Sequence, residues 1–360
     1  MVAFTTLLLT AVTALSSLVG AHPVKIEERQ MSAAVAPVAD PVIIDNIGVY
    51  ARVTRLEDGS LLAGYATYEG SDVFLRTARS TDDGASWARL GVVDSGPSAT
   101  REIDNAFPLA LSGGRVLYAF RNHDKNGSGY TQYRITLCVS EDGGASWSFL
   151  SQIEERSPSG RNGVWEPFLR VGINGEIQAY YSSENADNDQ DNIMKASSDG
   201  GATWGPVIGV SGGDVVSRDG MMGVADAGNG NLICVFENTE TGPFSVNYVL
   251  SSDDGHSWHS RGRIYKAVDN HDAGSPQVIN VGGTLVASFM SNEAGGGPGV
   301  DGGEFKASTS TDGGLTWSSP AVIAGLGSHW PGMYTLGNGP DWLALYSFNG
   351  QGLVSRRFTL

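Results

Sequence analysis

Two glutamates stand out for the chemistry their neighbours would give them. Glu166 lies between Trp165 and Pro167, and Glu237 ends the apolar run Leu232 to Phe236. An apolar setting withdraws water from a carboxylate and raises its pKa toward the value a general acid needs. Two carboxyls flanking one glycosidic bond can hydrolyse it, one protonating the leaving oxygen and the other attacking or activating water. A spacing of ~5–5.5 Å serves retention of configuration, and ~6.5–9.5 Å serves inversion. The plainer alternative is that each glutamate pairs with a cation such as Arg52 or Arg121.

A repeat must bring these acids to one place. Five eight-residue segments share the form Ser-x-Asp-x-Gly-x-Ser/Thr-Trp: STDDGASW from Ser80, SEDGGASW from Ser140, SSDGGATW from Ser197, SSDDGHSW from Ser251 and STDGGLTW from Ser310. They recur roughly every 55–60 residues, the mark of a repeat architecture. Within each box the Asp accepts hydrogen bonds from the backbone of its own turn, Gly takes the positive φ, and Trp packs back into the unit. Each box carries too few carboxylates for a calcium cage, so the boxes read as structural staples.

Between boxes the chain alternates short apolar runs with turns. Ala106–Leu111, Val116–Phe120, Tyr133–Val139 and Ser148–Ile153 are four strands of one unit, and the following units repeat the pattern. A sixth unit, Met333–Leu336, Trp342–Tyr346 and Leu353–Thr359, stops where its box should begin, and Pro41–Ile44 is expected to supply its fourth strand. The fold class is therefore all-β, a six-bladed β-propeller of four-stranded antiparallel blades closed by the N-terminal strand. Closure leaves little edge to pair, so a monomer is expected.

Strand direction sorts residues between the two faces of such a disc. If each first strand starts at the top, the boxes lie at the bottom. First-strand starts then bring Arg52, Asp104, Asn105, Trp165, Glu166, Ser275, Trp330 and Tyr334 to the top, and second-strand ends bring Arg121, Glu184, Glu237 and Asn238. This mixture of carboxylates, aromatics and amides suits sugar rings and their hydroxyls. Glu166 and Glu237 fall on adjacent blades. Arg52 and Arg121 would clamp an anion or orient the acids, and Trp165, Trp330 and Tyr334 would stack on sugar or plug the channel. The segment Asn185–Asp191 reads as a solvated loop, lacking the Gly and terminal Glu of a calcium loop. No metal or cofactor is implied.

The 360 residues carry 23 Lys plus Arg against 39 Asp plus Glu, a formal net charge of −16. That balance argues against a nucleic-acid partner, which needs a basic surface. The 49 glycines fit many tight turns, and the 2 cysteines, Cys138 and Cys234, fall on non-neighbouring blades as buried free thiols. Residues 1–21 read as a secretory signal peptide cleaved after Ala21 and residues 22–40 as a propeptide or linker, leaving 41–360 as one catalytic domain. No later run is long and apolar enough to cross a bilayer, so a secreted, extracellular protein without a membrane partner is expected. The sequon Asn126-Gly127-Ser128 fits that compartment.

The five boxes resemble the Asp-box repeats of sialidases and other six-bladed sugar-active propellers. VYARVTRLEDGSLLAGY from Val49, NGVWEPFLRV from Asn162 and NLICVFENTE from Asn231 resemble the secreted fungal exo-arabinanases of glycoside hydrolase family 93. That resemblance implies release of arabinobiose, with retention, from the non-reducing end of α-1,5-L-arabinan, a pectin side-chain polysaccharide. It places the two catalytic glutamates on Glu166 and Glu237, with Glu237 favoured as nucleophile; the desolvation argument alone would favour the reverse. Exo action needs a wall, for which the Gly-rich loop Asn292–Gly303 and Trp330 are candidates. A sialidase is the rival: Arg52-Val-Thr-Arg-Leu56 loosely matches that family's Arg-Ile-Pro-x-Leu motif, with Thr54 in place of Pro. Tyr334 would then be the nucleophile, and Arg52, Arg121 and either Arg170 or Arg218 would hold a carboxylate. A non-catalytic glycan-binding propeller is the third reading.

Overall fold

The computed structural model describes residues 35–127, 129–297 and 299–360. The expected signal peptide at 1–21, most of the 22–40 segment and Ser128 of the sequon lie outside the described residues. Six antiparallel sheets surround one axis. Blade 1 is Gly48–Arg55, Leu61–Glu69, Asp72–Ser80 and Ala88–Pro97; blade 2 is Arg101–Ala110, Val116–Asn126, Gly129–Ser140 and Ser148–Arg156. Blade 3 is Val164–Val171, Ile177–Ala186, Asp189–Ser197 and Ile208–Ser211; blade 4 is Gly220–Gly228, Asn231–Asn238, Ser245–Ser251 and His259–Lys266. Blade 5 is Ala273–Val281, Thr284–Ser291, Glu304–Ser310 and Ala321–Ala324.

Blade 6, Ser328–Thr335, Asp341–Phe348 and Gly352–Thr359, takes its outer strand from the N-terminus, as the missing sixth box implied. Val42–Asp45 pairs with Leu353–Ser355, and the short strand Ala36–Pro37 pairs with Phe358–Thr359. The segment expected as a linker thus joins the sheet before residue 41, because the far half of the last strand offers an unpaired edge.

The apolar core is divided among the seams. Ile135, Leu137, Leu169, Ala179 and Tyr181 pack blade 2 on blade 3, while Tyr180, Met222, Cys234 and Phe236 pack blade 3 on blade 4. Corresponding clusters fill the other four seams. Cys138 and Cys234 are buried free thiols.

The boxes are the staples their composition implies. In the second, Asp142 Oδ1 accepts from Ser146 N (2.9 Å) and Ser140 Oγ (2.7 Å), and Gly144 N donates to Ser140 Oγ at 2.8 Å. The same box reaches the preceding blade, where Thr77 Oγ1 donates to Gly144 O at 2.9 Å. Box three repeats this link through Ser151 and Gly201. A propeller held only by apolar seams could slip in register; these links fix blades 2 and 3 against the blades before them.

Every inner strand carries a β-bulge near its top end, between Val49/Arg52, Asp104/Phe107, Trp165/Phe168, Gly220/Gly223, Gly274/Gln277 and His329/Gly332. Inside each bulge one non-glycine residue has positive φ: Tyr50, Asn105, Glu166, Met221, Ser275 and Trp330, with φ from 45° to 57°. Such backbone costs about 1–3 kcal/mol per residue, and a bulge re-aims its side chain. Repeated six times, the device re-aims one residue at the top of each inner strand. It also explains why several inner strands run further than their apolar pattern indicates. Blade 2's starts at Arg101 rather than Ala106, since the inserted residue breaks the alternation.

Candidate active site

A cavity of about 290 Å³ opens at the top ends of blades 2, 3 and 4, lined by Arg121, Trp165, Glu166, Glu184, Gln190, Arg218, Glu237 and Phe244. The bulge of blade 3 places Glu166 there, and the end of the second strand of blade 4 places Glu237. Two glycines leave room for the side chains around Glu237. A Cβ on Gly274 would overlap Glu237 Oε2, and one on Gly220 would overlap Gln190 Nε2 while making ordinary 3.7 Å contacts with Glu237 Oε1 and Ser182 Oγ. Ser182 is the hydroxyl that hydrogen-bonds Glu166.

Both carboxyls are pushed up to about 7. Burial is the main cause for each, and for Glu166 the charge of Glu237 adds to it while Arg121 opposes. Glu237 is partly compensated by the Ser275 N–H, which donates to Oε2 at 2.6 Å, and by Arg218. Glu237 has the main-chain donor that stabilises its ionised form, and its charge favours the proton on Glu166.

Arg121 is already matched by acids, and Arg52 by a carbonyl. Arg121 lies 3.1 Å from Glu102 and 3.9 Å from Asp104, with its guanidinium 5.1 Å over the Trp165 ring. Arg52 is buried, donates to Ala51 O at 2.8 Å and stacks 4.2 Å over the Tyr50 ring. Burial lowers its pKa, and Asp104 and Glu166 counter that. Tyr50 rises to about 12 through burial in the same surroundings. Asp104 accepts the Tyr68 hydroxyl at 3.0 Å. Behind Trp165, buried His123 contacts the carbonyl of Val164 through Nε2 at 2.9 Å, and burial and Arg121 depress its pKa to about 3. The ring is neutral, and a carbonyl partner requires Nε2 to carry the hydrogen. Polar atoms without a partner gather here: Asn105 Oδ1, Arg121 Nε, His123 Nδ1 and Trp165 Nε1. Among the described residues no group of His, Cys, Asp and Glu is placed to hold a metal ion.

Measured against the residues chosen from sequence, the structure brings Arg52, Asp104, Asn105, Arg121, Trp165, Glu166 and Glu237 to the top end of the axis. Trp330 is the corresponding bulge residue of blade 6, outside the cavity lining. Three expectations change. Asn238 is fully buried, its amide donating to Ser245 O at 3.1 Å, so it fastens two strands instead of meeting a sugar. The Ser275 side chain is also buried, its hydroxyl turned to Met221 Sδ at 3.3 Å, and it serves the well through its main chain. Tyr334 belongs to the opposite face: it bonds Arg55, which pairs with Asp83 of the first box at 2.9 Å. Four residues of extended strand, ~13 Å, separate it from Trp330.

Sequence reasoning did not choose Tyr50, Gln190 or Phe244, and offered Arg218 only as an anion-holding arginine. Tyr50 was within reach, since it occupies the Glu166 position of the first unit. Gln190 falls in the segment read as a solvated loop; that segment is a hairpin, Ile177–Ala186 to Asp189–Ser197, and Gln190 is buried.

No protein-family model and no curated protein sequence matches the chain. Solved structures do resemble it. An α-L-arabinanase from Penicillium chrysogenum complexed with arabinobiose is 21% identical, with 91% of this chain and 98% of that chain covered and a TM-score of 0.69. An α-L-arabinofuranosidase from Fusarium graminearum in complex with an iminosugar inhibitor is 20% identical, covering 89% and 97%, with a TM-score of 0.68. A Hadza microbial sialidase is 15% identical over 87% of this chain and 66% of that one, with a TM-score of 0.63. At these identities the likeness is one of fold: the chain has the six-bladed propeller architecture that these sugar-cleaving enzymes share.

Proposed function

We propose that this protein is a secreted, retaining glycoside hydrolase that releases arabinobiose from the non-reducing end of α-1,5-L-arabinan. The observation that carries the reading is the pair Glu166 and Glu237, from adjacent blades, lining one cavity with both pKa values pushed up to about 7. Glu237, with its main-chain donor, attacks the anomeric carbon as the carboxylate. Glu166 gives its proton to the leaving oxygen, and the aglycone departs. Glu166, now ionised, takes a proton from water; that water attacks the same carbon, and Glu237 leaves as the carboxylate.

The charge around the well supports a neutral substrate. Arg121 pairs with Glu102, Arg218 pairs with Glu184, and buried Arg52 feels the charges of Asp104 and Glu166, so the acids offset the positive charge a sugar carboxylate would need. Tyr334, the nucleophile of the sialidase reading, stands at the box face. The fold likeness to an arabinanase holding arabinobiose adds support for the sugar class. The test is incubation with linear arabinan and with a sialyl-lactose, followed by sizing of the products. Disaccharide from arabinan is expected. Free sialic acid would favour the sialidase, and binding of either sugar without turnover would favour a glycan-binding propeller.

A further inference from the structure

Exo cleavage needs a stop at one end of the sugar site, and this inference rests on the arabinanase reading. The Gly-rich loop of blade 5 does not furnish one in the cavity. It folds onto blade 6, with Asp301 against His329 Nδ1 at 2.5 Å and Gly327 N donating to Gly302 O at 2.8 Å, and none of its described residues lines the cavity.

The seam between blades 3 and 4 is built differently. Arg218 Nη2 donates to Glu184 Oε1 and to Gln190 Oε1, each at 2.8 Å, and all three residues line the cavity. Its Nη1 donates at 3.2 Å to the carbonyl of Asp187, an exposed hairpin tip. The guanidinium thus spans from the cavity to the outer rim. Its backbone is fixed on both sides. Gln190 and Arg218 form a parallel bridge, Gln190 N donates to Ser217 O and Asp219 N to Gln190 O, both at 2.9 Å. On the blade 4 side Arg218 N donates to Thr239 Oγ1 at 3.0 Å. Glu184 is only 4% exposed and is also tied at 3.3 Å to the Gly163 N–H.

We propose that the Arg218–Glu184–Gln190 knot is the end wall of the sugar site: the non-reducing terminus lodges against it, and the knot sets exo rather than internal cleavage. A guanidinium has five N–H donors. The bonds to Glu184, Gln190 and Asp187 leave donors on Nε and Nη1 for terminal hydroxyls. The cavity, about 290 Å³, lies at the small end of ligand sites, which run ~300–1,000 Å³. That size suits a short saccharide.

The test compares linear α-1,5-arabino-oligosaccharides with the same chains carrying a bulky group on the non-reducing terminal O5. The wild-type protein is expected to take disaccharide from the free chains and refuse the capped ones. The double variant Glu184→Ala/Arg218→Ala removes the ion pair as a unit, so that Glu184 is not left buried without its partner, although Glu166 and Glu237 lose the compensating charge of Arg218. It is expected to raise the capped-to-free rate ratio by about 10–200-fold, the range steric pocket discrimination reaches, and to yield products longer than the disaccharide. A folded double variant that cleaves free chains and still refuses capped ones overturns the proposal, as does a wild-type protein that cleaves capped chains. Should the double variant cleave neither, calorimetry on Glu237→Gln with and without the double change decides. Capped-chain binding only after the change supports the wall, and refusal in both overturns it. A wild-type protein that releases no disaccharide from linear arabinan instead sinks the arabinanase reading, and the wall with it.

Discussion

At the box end of the disc, Asp312 accepts hydrogen bonds from Ser310 Oγ, Leu315 N, Thr316 N and Thr316 Oγ1 at 2.6–3.1 Å. Burial pushes its pKa upward, yet these donors bring it below the ordinary value. At the well end, Glu166 and Glu237 have few donors for their burial and rise to about 7. One fold supplies both kinds of acid. Where each lone pair has a donor, the acid is a fastener. Where burial outruns donation, the acid holds a proton near neutral pH and becomes useful for catalysis.

The largest expected effect breaks the well. Glu166→Ala and Glu237→Ala should each lower turnover on arabinan by about 10²–10⁴-fold, the range for a positioned acid or base, with the circular dichroism spectrum kept. Undiminished turnover in either variant would remove that residue from the mechanism. The wild-type rate should follow a bell in pH centred near neutrality, because one carboxyl must be ionised while the other holds its proton.

The same pair should appear in stability with a sign opposite to that of the boxes. A glutamate whose pKa rises from 4.5 unfolded to about 7 folded binds more protons in the folded state across that window, so stability falls as pH rises through it. Glu237→Gln removes the desolvated charge. Its stability relative to wild type should improve between about pH 4 and about pH 8 by up to about 3 kcal/mol, read by denaturant titration. A gap that does not change with pH would mean that the carboxyl is well solvated. For Asp312 the depressed folded pKa makes its contribution present above 3.8 and lost as pH falls through the folded value. Asp312→Ala should cost about 1–3 kcal/mol at neutral pH and leave kcat on arabinan unchanged. A loss of kcat without a loss of stability would mean that the box end takes part in the reaction.

The fastening end was far more legible in the sequence than the well. Each box is local, so Ser80, Asp82, Gly84 and Ser86 find one another within a single turn and the motif shows on its face. Blade number and closure followed from counting boxes and finding the last unit short of one. The well is assembled across seams. Arg218 meets Gln190 and Glu184 only because two blades adjoin, and no spacing in the chain announces that. The six bulges hide for another reason: one inserted residue shifts the apolar alternation, so the top of each inner strand reads as loop. Glu237 was found because its apolar run foretold desolvation, and Glu166 because strand direction put it at the top of an inner strand, with the motif resemblance pointing to both.

The smallest effect tests the division of the two faces with one kind of change at each end. Tyr50 and Tyr334 lie on inner strands of neighbouring blades, and the strand direction puts one at the well and the other at the boxes. Tyr50 shares its surroundings with Arg52, Asp104 and Glu166, whereas Tyr334 bonds Arg55 near Asp83. Tyr50→Phe removes a buried hydroxyl beside the acids and should lower kcat/KM on arabinan by about tenfold, equivalent to one buried hydrogen bond. Tyr334→Phe loses only its bond to Arg55, so stability should drop by about 1 kcal/mol while kcat/KM stays within about twofold of wild type. The distance between the two faces makes the pair informative, because a hydroxyl ~13 Å down the strand from the bulge ring cannot reach an anomeric carbon held between Glu166 and Glu237. A collapse of activity in Tyr334→Phe alone would place the reacting centre at the box face and reverse the roles given to the two ends.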